Sequence, residues 1–436
     1  MKNLILLLLS VACTAATHAQ PLSQTIRGTI TDADSKLPLA GVIVKVTGSD
    51  PLIGSASELN GNYRLTNVPV GRISLQLSLL GYQTITIPNI MVNSAKEVVL
   101  DLEMQESAVK MNEAVVVANG NKSDPINDMS MISVRSVSAE ETNRYAGGFN
   151  DPSRILSNFA GVTSTQDGGN DIIVRGNSPK YVQWRLEGIQ ITNPNHFADQ
   201  GSAGGGVSTL NNNLLSTSDF YTGAFSPEYG DALSGVYDVK MRAGNNEKFE
   251  SVFSLGLTGT DITLEGPFKK GYAGSFLVNY RYSTITLLSN IGLVSIGGIP
   301  KYQDAAFKLM LPTKKAGTFS IFGLGGNSSF VFEDVKQSLW ETPGHNSMKE
   351  DIKEDYEKGS YLANVGVNHT AFINENSFIR TTLSFSGEGI KDKVYELKTI
   401  KITDPSGSSR DSIADKRLNF NNNLAKSVYR GAITYN

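Results

Sequence analysis

The last part of the chain alternates apolar and polar residues over runs about as long as a strand that crosses a membrane. In Ser275–Tyr282 the apolar side would carry Phe276, Val278, Tyr280 and Tyr282. The opposite side would carry Ser275, Asn279 and Arg281. Similar strands are predicted at residues 250–259, 305–311, 317–323, 362–370, 377–386 and 428–435. Such strands are typical of a transmembrane β-barrel, but a soluble β-sandwich alternates in the same way.

The first residues predict export. Lys2 precedes the apolar run 4–12, and Thr17-His18-Ala19 is a small-residue cleavage site, so we expect a signal peptide at residues 1–19. The single cysteine, Cys13, lies inside this segment, which leaves a lipoprotein site as the alternative. No later run approaches the ~20 apolar residues of a membrane helix. An exported chain of this kind is expected to be either soluble or a β-barrel.

Charge and histidine content argue against several classes of function. The chain has 39 basic and 42 acidic residues, a balance that does not favour nucleic acid as a partner. It has four histidines, of which His345 and His369 are isolated, and it shows no Ser/His/Asp set, paired carboxylates or zinc-ligand spacing. We therefore predict no enzyme activity, no metal and no cofactor.

Residues 20–105 predict a β-sandwich of short strands. The strands are expected at residues 26–30, 42–47, 61–65, 73–79, 83–87 and 98–103, separated by Asp, Asn, Gly and Pro breaks. The segments P-L-A-G-V-I-V-K-V, G-N-Y-R-L-T-N-V-P-V-G and L-G-Y-Q-T resemble the carboxypeptidase regulatory-like domain, which has a transthyretin-like fold. The resemblance implies a module without catalytic residues.

Residues 106–245 combine a short apolar run, a polar linker and a mixed fold. Glu113, Ala114, Val115, Val116, Val117 and Ala118 would form one short strand, followed by the flexible linker 119–125. Helices are expected after the N-cap residues Ser138 and Asp151. The stretch 170–197 then reads as strand, turn, strand, turn. Charges inside it lie among residues that favour burial, so they must be paired or remain solvated.

The same region resembles the plug domain of TonB-dependent outer-membrane receptors. The similar segments are I-L-S-N-F-A-G-V, I-I-V-R-G, L-E-G-I-Q-I-T-N-P-N-H-F and Y-T-G-A-F-S-P-E-Y-G-D-A-L-S-G-V, in that order. In that family the plug fills a barrel of about 22 strands. The resemblance implies that residues 113–118 are the Ton box, which pairs as an added strand with a periplasmic TonB-type energy transducer. Ala114 and Ala118 depart from its commonest form.

The plug resemblance also gives the charged residues a role. A plug inside a barrel would be locked by polar contacts to the lumen wall, and the candidates for this lock are Arg175, Gly176, Arg185, Glu187, Gly188, Glu228 and Arg242. The Gly-rich segment 201–206 lacks a following Lys-Ser/Thr, so it is no phosphate loop. It is either a flexible turn or, through Gly204, Gly205 and Gly206, a loop that faces the ligand.

The sequence thus predicts a mainly β chain. Its parts would be a signal peptide (1–19), a regulatory-like sandwich (20–105), a Ton-box-like segment with linker (106–123), an α/β plug (124–245) and the first strands of an antiparallel transmembrane barrel (246–436). The predicted strands are far fewer than 22, so we expect an incomplete barrel. The expected function is uptake of a siderophore, cobalamin, glycan or peptide through the outer membrane of a Gram-negative bacterium, and a surface-exposed binding lipoprotein is a further partner that the resemblance allows. The alternative is a secreted or surface β-rich binding or scaffold protein.

Overall fold

A computed structural model gives the structure of most of the chain. It describes residues 22–33, 36–94, 96–105, 133–145, 147–164, 170–198, 204–225, 228–256, 259–293, 300–337, 352–374, 377–403, 405–407 and 409–435. The predicted signal peptide and the Ton-box-like residues 113–118 lie outside these ranges, so both remain predictions. The chain divides into two compact units, whose described parts are essentially residues 22–105 and residues 133–435.

The first unit is a β-sandwich, as predicted. Its strands are β1 (Ser23–Asp32), β2 (Ile43–Val46), β3 (Gly54–Ala56), β4 (Asn62–Pro69), β5 (Gly71–Ser78), β6 (Ile85–Val92), β7 (Val98–Val99) and β8 (Leu102–Met104). Within the described residues, β4, β1, β7 and β8 form one sheet and β3, β2, β5 and β6 form the other. Alternate residues such as Ile26, Leu65 and Leu75 are fully buried in its core. The strand β3 was not predicted, because three residues carry too little alternation to detect.

The second unit begins with a mixed fold of short elements. Its strands are β9 (Val134–Val137), β10 (Val162–Thr163), β11 (Ile173–Val174), β12 (Val182–Leu186), β13 (Ile189–Gln190), β14 (Asn195–His196), β15 (Val207–Ser208), β16 (Ser218–Tyr221) and β17 (Gly235–Val239). Among the described strands, the main sheet has the order β13-β12-β17-β16-β9. Its core includes Trp184, Phe220 and Tyr237, whose rings pack on one another.

The two helical segments of this fold begin at polar residues, as the sequence predicts. Helix α1 (Ala139–Arg144) has a capping box: the Ser138 side chain accepts from the Glu141 amide, and the Glu141 carboxylate accepts from the Ser138 amide. The second segment is a 3₁₀-helix over Arg154–Asn158 and starts later than expected. Asp151 caps the Ser153 amide instead, at 2.9 Å.

The remainder of the second unit contains a large antiparallel sheet. Its strands are β18 (Glu250–Leu255), β19 (Thr260–Pro267), β20 (Ser275–Tyr282), β21 (Lys301–Pro312), β22 (Thr318–Gln337), β23 (Ile352–Asn374), β24 (Ser377–Thr403) and β25 (Ser409–Tyr435). Neighbours along the chain are neighbours in the sheet, so these described strands form one open meander with β18 and β25 at its edges. Helix α2 (Thr284–Asn290) lies in the connection between β20 and β21.

This sheet is apolar on its exposed side and polar on its covered side. Phe253, Leu255 and Leu383 are 70%, 74% and 62% exposed. The opposite face carries buried polar residues, which are Asp261, Thr263, Glu265, Asn279, Asp304, Lys308, Ser320, Asn364 and Ser386. This arrangement is the reverse of a soluble sandwich, in which the apolar faces are the covered ones.

No strand was predicted within residues 333–359 or 388–426, but the described parts of both segments are almost entirely strand. Residues 333–359 contain the ends of β22 and β23, and residues 388–426 belong almost entirely to the β24–β25 hairpin. Because these segments carry polar and charged residues on both faces, the alternation that identifies a strand is missing. Strand β19 was also missed, since its Gly266 and Pro267 read as a turn.

None of the helices in the described ranges has the length and apolar character that a membrane crossing requires.

Candidate functional site

The turn between β12 and β13 places a carboxylate against the large sheet. Glu187 and Gly188 form this two-residue turn with φ of +55° and +85°, the left-handed values that favour a tight hairpin and suit glycine at the second position. Glu187 Oε2 lies 2.8 Å from Lys308 Nζ on β21, and the two side chains are only 9% and 10% exposed. Glu187 Oε1 accepts from the Met241 amide at 2.6 Å, and Lys308 also donates to the Met241 carbonyl at 2.6 Å.

A second ion pair joins the mixed fold to β19. The Arg242 guanidinium donates two parallel hydrogen bonds to Glu265, of 2.7 and 2.8 Å. This bidentate geometry is the strongest arrangement available to an arginine and a carboxylate. The Glu265 side chain is 1% exposed and also accepts from the Asn245 amide, while Arg242 Nε donates to the Asn213 carbonyl.

Both ion pairs lie at one level of the sheet. Lys308 and Glu265 both pair in register with Leu277 on β20, from opposite sides. We call Glu187–Lys308 and Arg242–Glu265 the lower layer. Buried ion pairs add little net stability, but removing one partner leaves an uncompensated charge and costs about 3–5 kcal/mol. Replacing one member of a lower-layer pair should therefore lower the free energy of unfolding by much more than the intact pair contributes to it.

An upper layer lies nearer the connections between β20 and β21 and between β22 and β23. His196 Nε2 is 2.9 Å from Asp304 Oδ2, and the side chains are 1% and 2% exposed. The same oxygen accepts from Arg281 Nε at 2.9 Å and from Arg281 Nη2 at 2.7 Å. Arg281 also donates to the Ser208 carbonyl of β15. The three side chains His196, Asp304 and Arg281 form the upper layer.

Phe197, the residue after His196, makes backbone and ring contacts with the large sheet, which we call the wall. The Phe197 amide donates to Ser328 Oγ and Ser360 Oγ at 3.0 and 3.1 Å. The Phe197 ring lies 6.2 Å from Tyr302, edge to face, and 5.8 Å from Phe330. Further polar contacts across the same boundary are Asn211–Asn279, Asn213–Asp261, Thr192–Asn364 and Asn368 to the Glu187 carbonyl.

Two domain families match successive parts of the chain that precede the large sheet. The carboxypeptidase regulatory-like domain matches residues 26–116. The TonB-dependent receptor plug domain matches residues 127–236, which include the turn at Glu187 and the strand at His196.

The chain carries the plug domain of TonB-dependent receptors. It is also homologous to the TonB-dependent transporter Oar of Myxococcus xanthus, with 25% identity over 256 residues. That alignment covers 57% of this chain and 23% of Oar, so the chain spans less than a quarter of its relative's length in the match.

Solved structures with a similar fold include two outer-membrane proteins of Escherichia coli. The outer membrane transporter YddB has a TM-score of 0.37 at 11% identity, over 70% of this chain and 54% of its own. The ferric-catecholate import receptor Fiu, in its open form, has a TM-score of 0.40 at 13% identity, over 70% of this chain and 46% of its own.

Several residues proposed for the plug lock make their hydrogen bonds or ring contacts within the plug domain. Arg175 is exposed, with φ of +50°, and its guanidinium lies close to Gly223 of the plug domain. Gly176 continues that turn with φ of +77°. Arg185 donates to the Gly188 carbonyl and stacks over the Tyr229 ring at 4.9 Å. Glu228 is exposed, and its charge acts on Tyr221 and Tyr229 within the plug domain.

The glycines proposed to face the ligand include two that pack closely. A Cβ on Gly204 would lie 2.6 Å from Asp171 Cβ, and one on Gly205 would lie 2.8 Å from Asn195 Cβ. Gly205 also donates its amide to Asn170 Oδ1, inside a buried amide network with Asn195 and Asp151. Gly206 is exposed, and its nearest neighbour for a Cβ is the Phe197 ring at 3.5 Å.

The residues of the large sheet that belong to the lower and upper layers were not predicted from the sequence. Arg281 and Lys308 lie on predicted strands whose polar face was recognised only as a pattern. Asp304 lies just before a predicted strand, and Glu265 lies on β19, which was not predicted. Asp304 and Lys308 are four residues apart and so share one face of β21, a signal that was available from the alternation itself. His196 carried no signal of its own, because its partner is distant in sequence.

Burial determines the protonation of His196. Burial lowers the pKa of His196 below its ordinary value, and this outweighs the hydrogen bond and charge of Asp304, which raise it. The charge of Arg281 lowers the His196 pKa further. The imidazole is therefore neutral at neutral pH and shares a hydrogen bond with Asp304. Within the described ranges, no group of three or more His, Cys, Asp or Glu residues is arranged to hold a metal ion.

Proposed function

We propose that this protein is a TonB-dependent outer-membrane receptor that takes up a nutrient ligand by energy-coupled movement of its plug. The observation that carries the proposal is the joint geometry of plug and sheet. A plug domain is held by buried ion pairs to the polar face of a sheet whose other face is exposed and apolar. A lipid-facing wall around a polar interior has this arrangement.

The connections of the sheet support an orientation in the membrane. At one end of the sheet, the turns after β19, β21 and β23 are all short. At the other end, the connections after β18 and β24 are short, and those between β20 and β21 and between β22 and β23 are long. Barrels of the bacterial outer membrane have short periplasmic turns and longer external loops. On this basis the lower layer lies toward the periplasm and the upper layer toward the outside.

The two layers suit a part that is locked at rest and released under load. Ion pairs of this kind are costly to break singly but contribute little net stability, so the plug can dissociate from the wall without a large overall penalty once water and new partners replace the contacts. Ligand binding and pulling would then shift a population between locked and released states. The homology to a transporter supports this reading of the plug.

The coupling segment in this proposal is Glu113–Ala118. An added strand needs an extended segment with free backbone donors and acceptors, and Val115-Val116-Val117 before a polar linker meets that requirement. The partner is a TonB-type transducer. The ligand class is a siderophore, cobalamin, glycan or peptide, and a surface lipoprotein that delivers it is a further possible partner.

A proline substitution tests the coupling. Val116→Pro removes a backbone donor and fixes φ, which blocks strand pairing, while Val116→Ala keeps both donor and conformation. We expect Val116→Pro to abolish energy-dependent uptake at unchanged surface level, and Val116→Ala to retain it. Uptake by both variants at the wild-type rate would contradict the proposed coupling. Recovery of the protein in the soluble secreted fraction would instead support the secreted binding protein.

A further inference from the structure

Aromatic residues occupy the inner face of the wall just beyond its last contacts with the plug. Ser328 on β22 and its register partner Ser360 on β23 both bind the Phe197 amide. Two positions beyond Ser328 on the same face lies Phe330, and four before Ser360 lies Tyr356. Both side chains are half-buried.

Half-buried aromatic rings are unusual on the polar inner face of the large sheet. Inner-face apolar residues lower in the sheet, such as Phe322, Leu324 and Leu362, are buried in the core shared with the plug domain. Phe330 and Tyr356 lie past that core and keep part of their surface exposed. A polar interior wall has no structural need for aromatic rings there, and exposed aromatic clusters within polar surroundings mark binding sites.

The cluster joins the wall to the plug. The Phe330 ring lies 5.5 Å from Tyr356 and 5.8 Å from Phe197, which is itself half-buried. Phe197 belongs to the plug domain, and Phe330 and Tyr356 belong to the wall. A ligand that covers the three rings would therefore contact both parts at once.

We infer that Phe197, Phe330 and Tyr356 form a binding site for an uncharged ring with an apolar face. Aromatic side chains stack on flat apolar faces, and these three rings lie beside one another. Lys358, on the same face, is only 7% exposed and so offers little charge to a ligand. Such a ring face belongs either to a pyranose sugar or to an aromatic group. The inference rests on the proposed function only in placing this end of the sheet outside.

The site lies next to the upper layer. Phe197 follows His196 directly, and its backbone is in the left-handed region with φ of +58°, which is strained for a phenylalanine. The wall contacts of its amide and the His196–Asp304 hydrogen bond hold it there. A ligand ring that stacks on Phe197 lies one residue from His196. Occupancy of the site is therefore physically connected to the His196–Asp304 hydrogen bond between plug and wall.

Binding to the purified protein in detergent tests the site. The probes are maltohexaose for the sugar face and indole for the aromatic face, titrated by calorimetry up to about 10 mM. Phe330→Leu and Tyr356→Leu keep apolar volume but remove the ring. Both are made in a Trp340→Phe background, in which unchanged Trp184 fluorescence verifies folding. Tyr361→Leu is the matched control, because Tyr361 lies on the same strand but is 45% exposed on the outer face.

We expect one probe to bind and each ring-removing variant to raise its Kd at least ~5-fold, the equivalent of about 1 kcal/mol of ring stacking. Tyr361→Leu should bind as the wild type does. Which probe binds identifies the source of the ring. The proposal is overturned if neither probe binds, or if Phe330→Leu and Tyr356→Leu leave the Kd unchanged. Because Val116→Pro affects uptake and not this binding, failure of the site and failure of the proposed function are distinguishable.

Discussion

Glu187 contacts two strands of the large sheet, β21 through Lys308 and β23 through Asn368. Its carboxylate is shared between the Lys308 ammonium and the Met241 amide, and its carbonyl accepts from Asn368. This one turn residue thus contacts β21 and β23, and it also holds the plug backbone at Met241, just after the end of β17. The left-handed turn is the reason that its side chain reaches the wall while Arg185, two residues earlier, turns back on the plug domain.

Neutralising one member of this pair should destabilise the plug strongly. Glu187→Gln leaves the Lys308 ammonium buried without its counter-charge, and we expect a loss of about 3–5 kcal/mol in the free energy of unfolding. Denaturant unfolding followed by Trp184 fluorescence, in a Trp340→Phe background, measures it. Trp184 is 3% exposed in the plug core and reports on that domain.

A double-mutant cycle measures the interaction energy between Glu187 and Lys308 separately from the effect of each single substitution. Lys308→Met alone should also be costly, whereas Glu187→Gln with Lys308→Met should cost clearly less than the sum. Lys393→Gln is the control, because the Lys393–Glu357 pair is 3.9 Å apart and both side chains are more than 40% exposed. Its effect should lie within about 1 kcal/mol of zero. Strict additivity of the two lower-layer substitutions would contradict a direct interaction.

His196 should make plug stability depend on pH. Because its folded pKa is lowered, the unfolded chain takes up a proton at higher pH than the folded one. Its contribution to stability is therefore complete above the unfolded pKa of about 6.5 and is lost as the pH falls below it. Asp304, Arg281 and Tyr302 face the ring and are the groups that set this behaviour.

The free energy of unfolding at about pH 7.5 and about pH 5.5 measures this dependence. We expect a smaller difference between the two pH values in His196→Gln than in the wild type. His369→Gln is the control, since His369 is only half-buried and lies on the outer face, where it stacks on Phe319 and contacts the Ala316 carbonyl. An equal pH dependence in all three proteins would show that His196 does not titrate in this range.

Only some residues of the site could be predicted from the sequence. The plug-side residues Glu187 and Arg242 were named because they are charges in apolar or strand-end surroundings, and each has a wall partner in the structure. Their partners Lys308 and Glu265 were not named, because alternation gives the face of a residue but not the distant residue opposite it. Arg175 was selected by the same signal and lies exposed, so that signal does not distinguish a buried charge from a solvated one.

The Gly205 segment shows how closely one plug loop packs on another element. The β14–β15 pair brings Gly205 against the backbone of Asn195 and His196, where a side chain has no room. The segment was predicted as either a flexible turn or a ligand-facing loop, and in the described part it packs against the strand that carries the upper layer. Steric fit of this kind depends on tertiary contacts and leaves no trace in local sequence.

Gly205→Ala should destabilise the plug, and Gly206→Ala should not. The Cβ at position 205 overlaps the His196 carbonyl and lies 2.8 Å from Asn195 Cβ, whereas at position 206 the nearest atom is at 3.5 Å. Overpacking of this kind costs about 1–3 kcal/mol. Thermal unfolding of the two variants compares them, and equal stability would contradict the close packing.

Strands are predicted well where one face is apolar and poorly where both are polar. Strand β20 was predicted with its observed bounds, because eight alternating residues are bounded by Gly and Ser breaks. The outer parts of β24 and β25 were not predicted as strand, although each strand has 27 residues. Cross-strand hydrogen bonds with a long partner, rather than burial, form the strand there, and single-strand patterns do not contain that information.

Over the whole second unit, the exposed apolar face should determine the environment in which the protein folds. Val365 is 41% exposed in the middle of this face, and Ser329 lies on the same face nearer the upper end of β22. We expect Val365→Arg to disfavour folding into lipid vesicles by about 2–4 kcal/mol, since a charge at the bilayer centre is poorly solvated. Ser329→Arg should have little effect.

Folding into vesicles, followed by protease resistance, measures both variants. If Val365→Arg folds into vesicles as well as Ser329→Arg does, the face does not contact lipid. The comparison is controlled for charge and for side-chain size, because both variants introduce the same residue on the same side of the sheet.

The edge position of β9 has a mechanical consequence. Strand β9 is the first described strand of the plug domain and has four residues, hydrogen-bonded within its sheet to β16. Tension on the chain from its amino-terminal side reaches the plug through this strand before it reaches β12, β17 or either contact layer. A short edge strand has few hydrogen bonds to break, so under the proposed function we expect β9 to detach before the ion pairs at Glu187 and Arg242 carry load.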